Sequence, residues 1–160
     1  MRIFPLFFSA IFLLITSCEK DNNGNDNNNP VTSGDVRAKF VGTWKGSYKF
    51  TLTGLPPSFP TEFPTTVDIS KSQTSSSEIE LTINNTQPAY AVVTNNEYLY
   101  RPFSFNNATL RINLTLNGTG KLSSDGKSIS ESGTASGSFT VPPSTDPVPL
   151  SGTWTSVLTK

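Results

Sequence analysis

Polar and apolar residues alternate one by one along several stretches of this chain, and this alternation strongly limits its fold. Residues 109–116 have Leu or Ile at every second position and polar residues between them. Residues 78–83 and 44–52 follow a similar pattern. Successive strand side chains point to opposite faces, so each stretch predicts a strand with one buried and one wet face. No long stretch has the 3.6-residue apolar period of a helix, so we expect an all-β domain.

Turn-forming residues divide the second part of the chain into about eight such strands. Two Pro-rich segments, residues 54–64 and 142–149, are expected to lie outside the sheet, because proline cannot donate to a strand ladder. Eight consecutive strands with short turns favour an antiparallel up-and-down barrel, and a β-sandwich is the alternative. The strands are predicted to start near Phe40, Thr65, Glu78, Ala89, Glu97, Thr109, Lys127 and Leu150.

The N-terminal residues have the features of an exported protein. Arg2 precedes an apolar run that ends at Ile15, and this run is shorter than the roughly 20 residues that a helix needs to cross a bilayer core. It fits a signal peptide. The following Ile15-Thr16-Ser17-Cys18 resembles the lipobox of bacterial lipoproteins, which implies cleavage after residue 17 and a diacylglyceryl group on Cys18. Cys18 is the only cysteine, so no internal disulfide is expected.

A polar linker is predicted between this cysteine and the folded domain. Residues 19–30 contain no apolar side chain and are expected to be disordered. The charged residues that follow the cysteine also resemble the export signals of surface lipoproteins of the Bacteroidota. The predicted parts are therefore a signal peptide (1–17), a lipidated cysteine with its linker (18–35) and one β-barrel domain (36–160). We expect an outer-membrane lipoprotein of the cell envelope, periplasmic or surface-exposed.

A Gly-Thr-Trp triplet opens the first predicted strand and returns in the last one. The first copy, in Phe40-Val41-Gly42-Thr43-Trp44-Lys45, resembles the Gly-x-Trp signature of the calycins, which include the lipocalins. This resemblance implies a lipocalin-like barrel in which Gly42 and Trp44 are structural. The second copy contains Gly152 and Trp154. First and last strands of an even-stranded closed barrel are neighbours, so we expect both tryptophans on one shared face. The layout is also similar to the lipocalin-like domains of Bacteroidota lipoproteins.

Several kinds of chemistry are not expected. The chain has no histidine, which excludes a Ser-His-Asp triad and a histidine-ligated zinc site, and it has no nucleotide-binding glycine loop. Glu78 and Glu80 alternate with apolar residues and are expected on the solvent face, as are Asp68, Asp125 and Glu131. Without Arg2 the chain keeps eleven basic and twelve acidic residues, a net charge near −1. It lacks the excess of basic residues that is typical of nucleic-acid-binding proteins. We expect no enzymatic activity, no cofactor and no metal.

Aromatic residues give the one indication of a binding site. If the barrel is open, their rings line a cavity for a small hydrophobic molecule or a glycan, beneath a Pro-rich loop. The alternative is a filled barrel core, in a non-catalytic envelope protein that serves a structural role or docks onto another protein. The expected partners are the membrane, through the lipid, and this small ligand, and the protein is expected to be a monomer. The candidate ligand-binding residues are Phe59, Phe63, Tyr90, Tyr98, Tyr100, Phe103 and Phe105.

Overall fold

The structure is a computed structural model that describes residues 34–140 and 146–160. The predicted signal peptide, the lipidation of Cys18 and the linker up to residue 33 lie outside the described residues. The described residues belong to one compact unit.

Nine antiparallel strands form a single sheet that closes on itself. Consecutive strands pair from β1 to β5 and from β6 to β9, while β1 also pairs with β9 and β5 with β7. A closed ring of eight strands results, and β6 is the additional one. This confirms the predicted all-β, lipocalin-like up-and-down barrel rather than a sandwich. The strands are β1 (Gly42–Thr53), β2 (Glu62–Lys71), β3 (Glu78–Ile83), β4 (Pro88–Thr94), β5 (Glu97–Tyr100), β6 (Phe103–Asn107), β7 (Ile112–Leu122), β8 (Ser128–Thr140) and β9 (Pro147–Thr159).

One predicted strand is broken in two. The sequence predicts a continuous strand near residues 97–105, but Arg101 and Pro102 separate β5 from β6. Both pieces pair with β7, since Leu99 lies opposite Thr119 and Phe103 lies opposite Leu116. On the other side β5 pairs with β4, whereas β6 has no second neighbour within the described ranges. Because proline lacks an N–H group, the ladder to β4 ends here, and the barrel wall opens beside β6.

The expectation that both Pro-rich segments lie outside the sheet is wrong at their C-terminal ends. Pro64 lies in β2, and Pro147 and Pro149 lie in β9. Each of these prolines pairs with one strand only. The ladder to the second neighbouring strand reaches only Val67 in β2 and Ser151 in β9. A proline is tolerated where no second ladder needs its missing donor.

The strand predicted from Thr109 also begins later, at Ile112. Residues 108–111 form a turn instead, in which Asn107 Oδ1 accepts a hydrogen bond of 3.0 Å from the amide of Leu110. Arg111 has a positive φ of 51°. The apolar alternation continues through the turn because Leu110 still packs on the core.

The two tryptophans face the barrel interior from neighbouring strands but at different levels. Trp154 lies opposite Phe50 of β1, which is six residues from Trp44, or roughly 20 Å along the strand. Both rings are buried, and each indole N–H donates to a main-chain carbonyl, of Phe40 at 2.7 Å and of Asn117 at 3.0 Å.

The Gly-x-Trp segment lies against the C-terminus of the chain. Gly42 has a φ of +134°, which favours glycine, and a Cβ at this position would meet Cε of Lys160 at 3.1 Å. The Lys160 ammonium lies 4.8 Å from the Trp44 ring centroid, as in a cation–π contact. Gly152 of the second triplet pairs with Leu52.

A turn before β1 covers one end of the barrel. The amide of Phe40 donates to the carbonyl of Arg37 at 3.0 Å, and the Phe40 ring is fully buried against Tyr98 with centroids 5.4 Å apart. The Arg37 guanidinium holds this turn in place, since it donates to the Ser75 carbonyl at 2.7 Å and pairs with Asp35.

Candidate functional site

A cavity of about 550 Å³ opens through the barrel wall beside β6. It lies between β6 and the end of the barrel where the β3–β4 turn and the start of β2 meet. The size falls within the range of roughly 300–1,000 Å³ that is usual for small-molecule sites. The opening exists because the chain leaves β4 at Pro102.

Aromatic and aliphatic side chains form the cavity wall. Phe103 and Phe105 come from β6, Phe63 from β2, and Ile83 and Ala89 from the two sides of the β3–β4 turn. The Phe63 and Phe105 rings have centroids 5.8 Å apart and meet edge to face. Such a wall favours an apolar or planar ligand surface.

The rim of the cavity is polar. Gln87 and Asn106 present side-chain amides there, and Arg101 adds a guanidinium. The Asn84 amide also lines the cavity, but it is hydrogen-bonded to the main chain of Thr66 and Pro64. Arg101 Nε donates to Glu78 Oε1 at 2.8 Å, in an ion pair that Arg101 Nη2 also makes. The expectation that Glu78 lies on the solvent face is therefore wrong: it is only 5% exposed, because it lies at the start of β3, where the Arg101 side chain covers it.

Behind this cavity the barrel interior contains a buried carboxyl group. Glu131 is 3% exposed, so its expected place on the surface is wrong. The Tyr98 and Tyr100 hydroxyls both donate to its Oε1, the latter at 2.5 Å. Burial raises the pKa of Glu131, and the hydroxyls of Tyr100, Tyr98 and Ser156 partly offset this by lowering it. Burial likewise raises the pKa of Tyr98 and of Tyr100, and the Glu131 carboxylate adds to the rise.

The strand register explains how these residues come together. Glu131 of β8 lies opposite Ser156 of β9, and Ser156 lies opposite Tyr48 of β1. In the other direction Glu131 lies opposite Gly120 of β7, which in turn lies opposite Tyr98 of β5. Directly opposite residues share one face of the sheet, so one row around the inside of the barrel carries Tyr98, Glu131, Ser156 and Tyr48. Tyr100 lies two residues from Tyr98, on the same face of β5.

Three polar atoms of this row make no well-formed hydrogen bond within the described part of the chain. They are Glu131 Oε2, the Tyr48 hydroxyl and the Ser156 hydroxyl, and all are buried. Burial raises the pKa of Tyr48, the nearby Glu131 carboxylate adds to the rise, and the Tyr100 hydroxyl partly offsets it. Buried polar groups are nearly always well hydrogen-bonded, so these three incompletely satisfied atoms mark a candidate site for a polar ligand atom.

Tyr48 connects the carboxyl cluster with the cavity. Its ring forms part of the cavity wall, and the residue is only 1% exposed. The ring packs against Trp154 with a centroid separation of 5.3 Å, and Tyr100 lies 6.0 Å from Trp154. The apolar cavity and the buried acid are thus two parts of one candidate site.

The structure places the seven predicted ligand-binding aromatics in three groups. Four of them line the cavity, while Tyr98 and Tyr100 are buried beside Glu131. Phe59 lies elsewhere, where its ring packs against Phe139 with a centroid separation of 6.2 Å. The four that line the cavity are Phe63, Tyr90, Phe103 and Phe105.

Glu131, Tyr48 and Ser156 were absent from the sequence-based site, although the alternation contained a signal for them. Glu131 is two residues from Ile129, which is buried, and Ser156 lies midway between Trp154 and Leu158. Residues two apart share a face, so both belong to the buried face of their strands. A polar residue in phase with buried ones is the pattern that identifies such a site.

Comparison of the chain with known protein families, with curated proteins and with solved structures finds no match. Within residues 34–140 and 146–160, no group of three or more Asp, Glu, His or Cys side chains is placed to hold a metal ion. The same ranges contain no helix that is long and apolar enough to cross a membrane.

Proposed function

We propose that this chain is a non-catalytic, membrane-anchored lipoprotein of the cell envelope whose lipocalin-like barrel binds a small hydrophobic molecule or a glycan. The observation that supports this function best is the cavity of about 550 Å³ that opens beside β6. A filled barrel core, the alternative, predicts no such space. Aromatic rings in the wall suit an apolar chain or the face of a sugar ring, and rim amides suit hydroxyl groups.

Native mass spectrometry of the protein purified from its own envelope tests this function. We expect a co-purified small molecule that is released on denaturation. Ala89→Phe places a ring inside the cavity and should remove this molecule. Val92→Phe is the matched control, because Val92 lies on the same strand and is 37% exposed, outside the cavity lining.

A second blocking variant covers the case in which Ala89→Phe does not fold. Ser104→Trp adds bulk at an exposed position of the cavity lining and should also abolish the co-purified mass. Circular dichroism verifies that each variant keeps its strands. Wild-type protein that carries no molecule and binds neither lipids nor glycans in titration contradicts the proposed function.

The membrane anchor is proposed separately, from the lipobox-like Ile15-Thr16-Ser17-Cys18. Cells fed a palmitate analogue should label the wild-type protein but not Cys18→Ser, since serine has no thiol to acylate. The mature product is expected to begin at residue 18 and to carry the mass of the lipid. An unlabelled wild-type protein with a free N-terminal segment contradicts the anchor and leaves the ligand proposal standing.

A further inference from the structure

We propose that the bound molecule carries a hydrogen-bond-donating head group, a hydroxyl or a protonated amine, which enters past Tyr48 and is held by Glu131, and that the site selects against carboxylates. This inference rests on the proposed ligand-binding function. It concerns the inner end of the cavity, where the apolar wall gives way to polar atoms.

One oxygen of the buried Glu131 carboxyl group still lacks a well-formed hydrogen bond in the part of the chain that the structure describes. Glu131 Oε1 already accepts from Tyr98 and Tyr100, whereas its Oε2 makes no well-formed hydrogen bond within the described residues. The hydrogen bonds from Tyr100 and Tyr98 favour the ionised form of Glu131 against the effect of burial, and an ionised carboxylate oxygen accepts and does not donate. A group that satisfies Oε2 is therefore a donor. The hydroxyls of Tyr48 and Ser156, which also make no well-formed hydrogen bond in the described residues, lie in the same row, and each can accept from or donate to the same head group.

Within the described residues, the buried surroundings of Glu131 contain no positive charge that could hold an acidic ligand. The buried polar and charged residues are Thr65, Ser72, Glu78, Glu131 and Ser156, so no Lys or Arg is buried in the described part of the chain. A ligand carboxylate placed beside Glu131 would meet a second acid in a low-dielectric interior with no cation to compensate it. The rim residue Arg101 does not fill this role, because its guanidinium pairs with Glu78 and its side chain is 65% exposed.

Tyr48 belongs both to the cavity lining and to the row that carries Glu131. Its buried hydroxyl makes no well-formed hydrogen bond to any described residue. The hydroxyl is close enough to the Glu131 carboxylate for that charge to raise the pKa of Tyr48. A hydroxyl without a well-formed hydrogen bond is moved aside at less cost than a fully bonded one. A ligand head group that displaces it reaches Oε2, while the apolar tail remains among Phe63, Phe103 and Phe105.

Three probes with the same ten-carbon chain test the head group: decan-1-ol, decylamine and decanoate, each titrated at pH 7 by calorimetry. We expect the alcohol and the amine to bind at least about tenfold more tightly than decanoate, a difference of about 1.4 kcal/mol. Glu131→Gln keeps an acceptor but removes the charge. It should lower the ratio of amine to carboxylate affinity by about tenfold and change the affinity for the alcohol less than threefold.

Glu80→Gln is the matched control, since Glu80 lies on β3 outside the cavity lining and outside the buried cluster. Its affinity ratio should equal that of the wild type. Tyr48→Phe, which keeps the ring and removes the hydroxyl, provides a second measurement and should weaken alcohol and amine binding several-fold.

Two results would overturn the inference and leave the proposed function intact. One is decanoate binding as tightly as decylamine to the wild type, and the other is an unchanged ratio in Glu131→Gln. A co-purified molecule whose buried end is a carboxylate has the same consequence. If none of the probes binds and the purified protein carries no molecule, the proposed function fails together with the inference.

Discussion

The ring of Tyr98 lies across Gly120, its partner on β7, so closely that a Cβ on Gly120 would stand 2.1 Å from Tyr98 Cζ. This contact leads to the first prediction. Gly120→Ala forces the Tyr98 ring out of its place and should lower the free energy of unfolding by about 1–3 kcal/mol, the usual cost of overpacking. Urea unfolding followed by circular dichroism measures the change.

Gly34→Ala is the control for this substitution, because nothing lies within 4 Å of a Cβ at position 34. It should leave the free energy of unfolding within about 0.5 kcal/mol of the wild-type value. Equal stability of Gly120→Ala and the wild type would show that the ring is free to move away from β7, and that Tyr98 is not fixed beside Glu131.

The buried Glu131 makes stability depend on pH. Burial raises its pKa above the ordinary value of 4.5, and unfolding restores that value. Well below pH 4.5 Glu131 is protonated in both the folded and the unfolded state, so its contribution to the free energy of unfolding is fully present. As the pH rises, the unfolded chain ionises first, so the free energy of unfolding falls until the pH passes the folded-state pKa.

Glu131→Gln should reduce this fall between pH 5 and pH 8 and should raise the free energy of unfolding at pH 8 by about 1–3 kcal/mol. The range avoids Asp35, Glu62 and Asp125, whose pKa values are lowered and whose effect on stability is lost only at lower pH. The neighbouring tyrosines have pKa values above 10 and stay neutral throughout. The measurement is the urea unfolding midpoint of the wild type and of Glu131→Gln at each pH. Parallel plots of midpoint against pH for the two proteins would contradict the prediction.

The barrel itself could be predicted from the sequence because its cause is local. Alternation sets the face of each side chain, and the closing pair β1–β9 follows from an even count of strands around the ring. The strand break at Arg101 and Pro102 was missed, since the residues on both sides continue the same alternation. Only the pairing of Arg101 with Glu78 and the ending of the β4 ladder show where the wall opens.

The candidate site was only partly predictable for a different reason. Phe63, Phe103 and Phe105 stand out because large rings are rare enough to attract notice. Glu131 was assigned to the surface because charged residues are rarely buried in proteins. The contacts that bury it come from Tyr98 and Tyr100, more than 30 residues earlier in the chain, and these pairings follow from the barrel register rather than from any local pattern.

The two tryptophans should respond differently to a ligand in the cavity. Trp154 packs on Tyr48, a wall residue, whereas Trp44 lies beneath Lys160 and outside the cavity lining. The chain contains two tryptophans, so each single variant leaves one reporter. Titration with decan-1-ol should shift the fluorescence of Trp44→Phe, which retains Trp154, and leave that of Trp154→Phe unchanged. The opposite pattern would place the ligand at the Trp44 end of the barrel.

Arg111 occupies a backbone conformation that suits another residue better. Its φ of 51° lies in the left-handed region, which costs roughly 1–2 kcal/mol for most side chains and less for asparagine. The Arg111 side chain is exposed. The main chain of Arg111 makes two hydrogen bonds: its amide donates to the Ala108 carbonyl, and its carbonyl accepts from the Thr140 amide. Arg111→Asn keeps both bonds and should raise the free energy of unfolding by about 0.5–1 kcal/mol, because asparagine tolerates the left-handed conformation better. Thermal unfolding should show this as an increase in Tm. Lys127→Asn is the control, because Lys127 is exposed and has no positive φ, and it should give no increase in Tm. A Tm for Arg111→Asn at or below that of the wild type would mean that contacts of the arginine side chain relieve the strain at this turn.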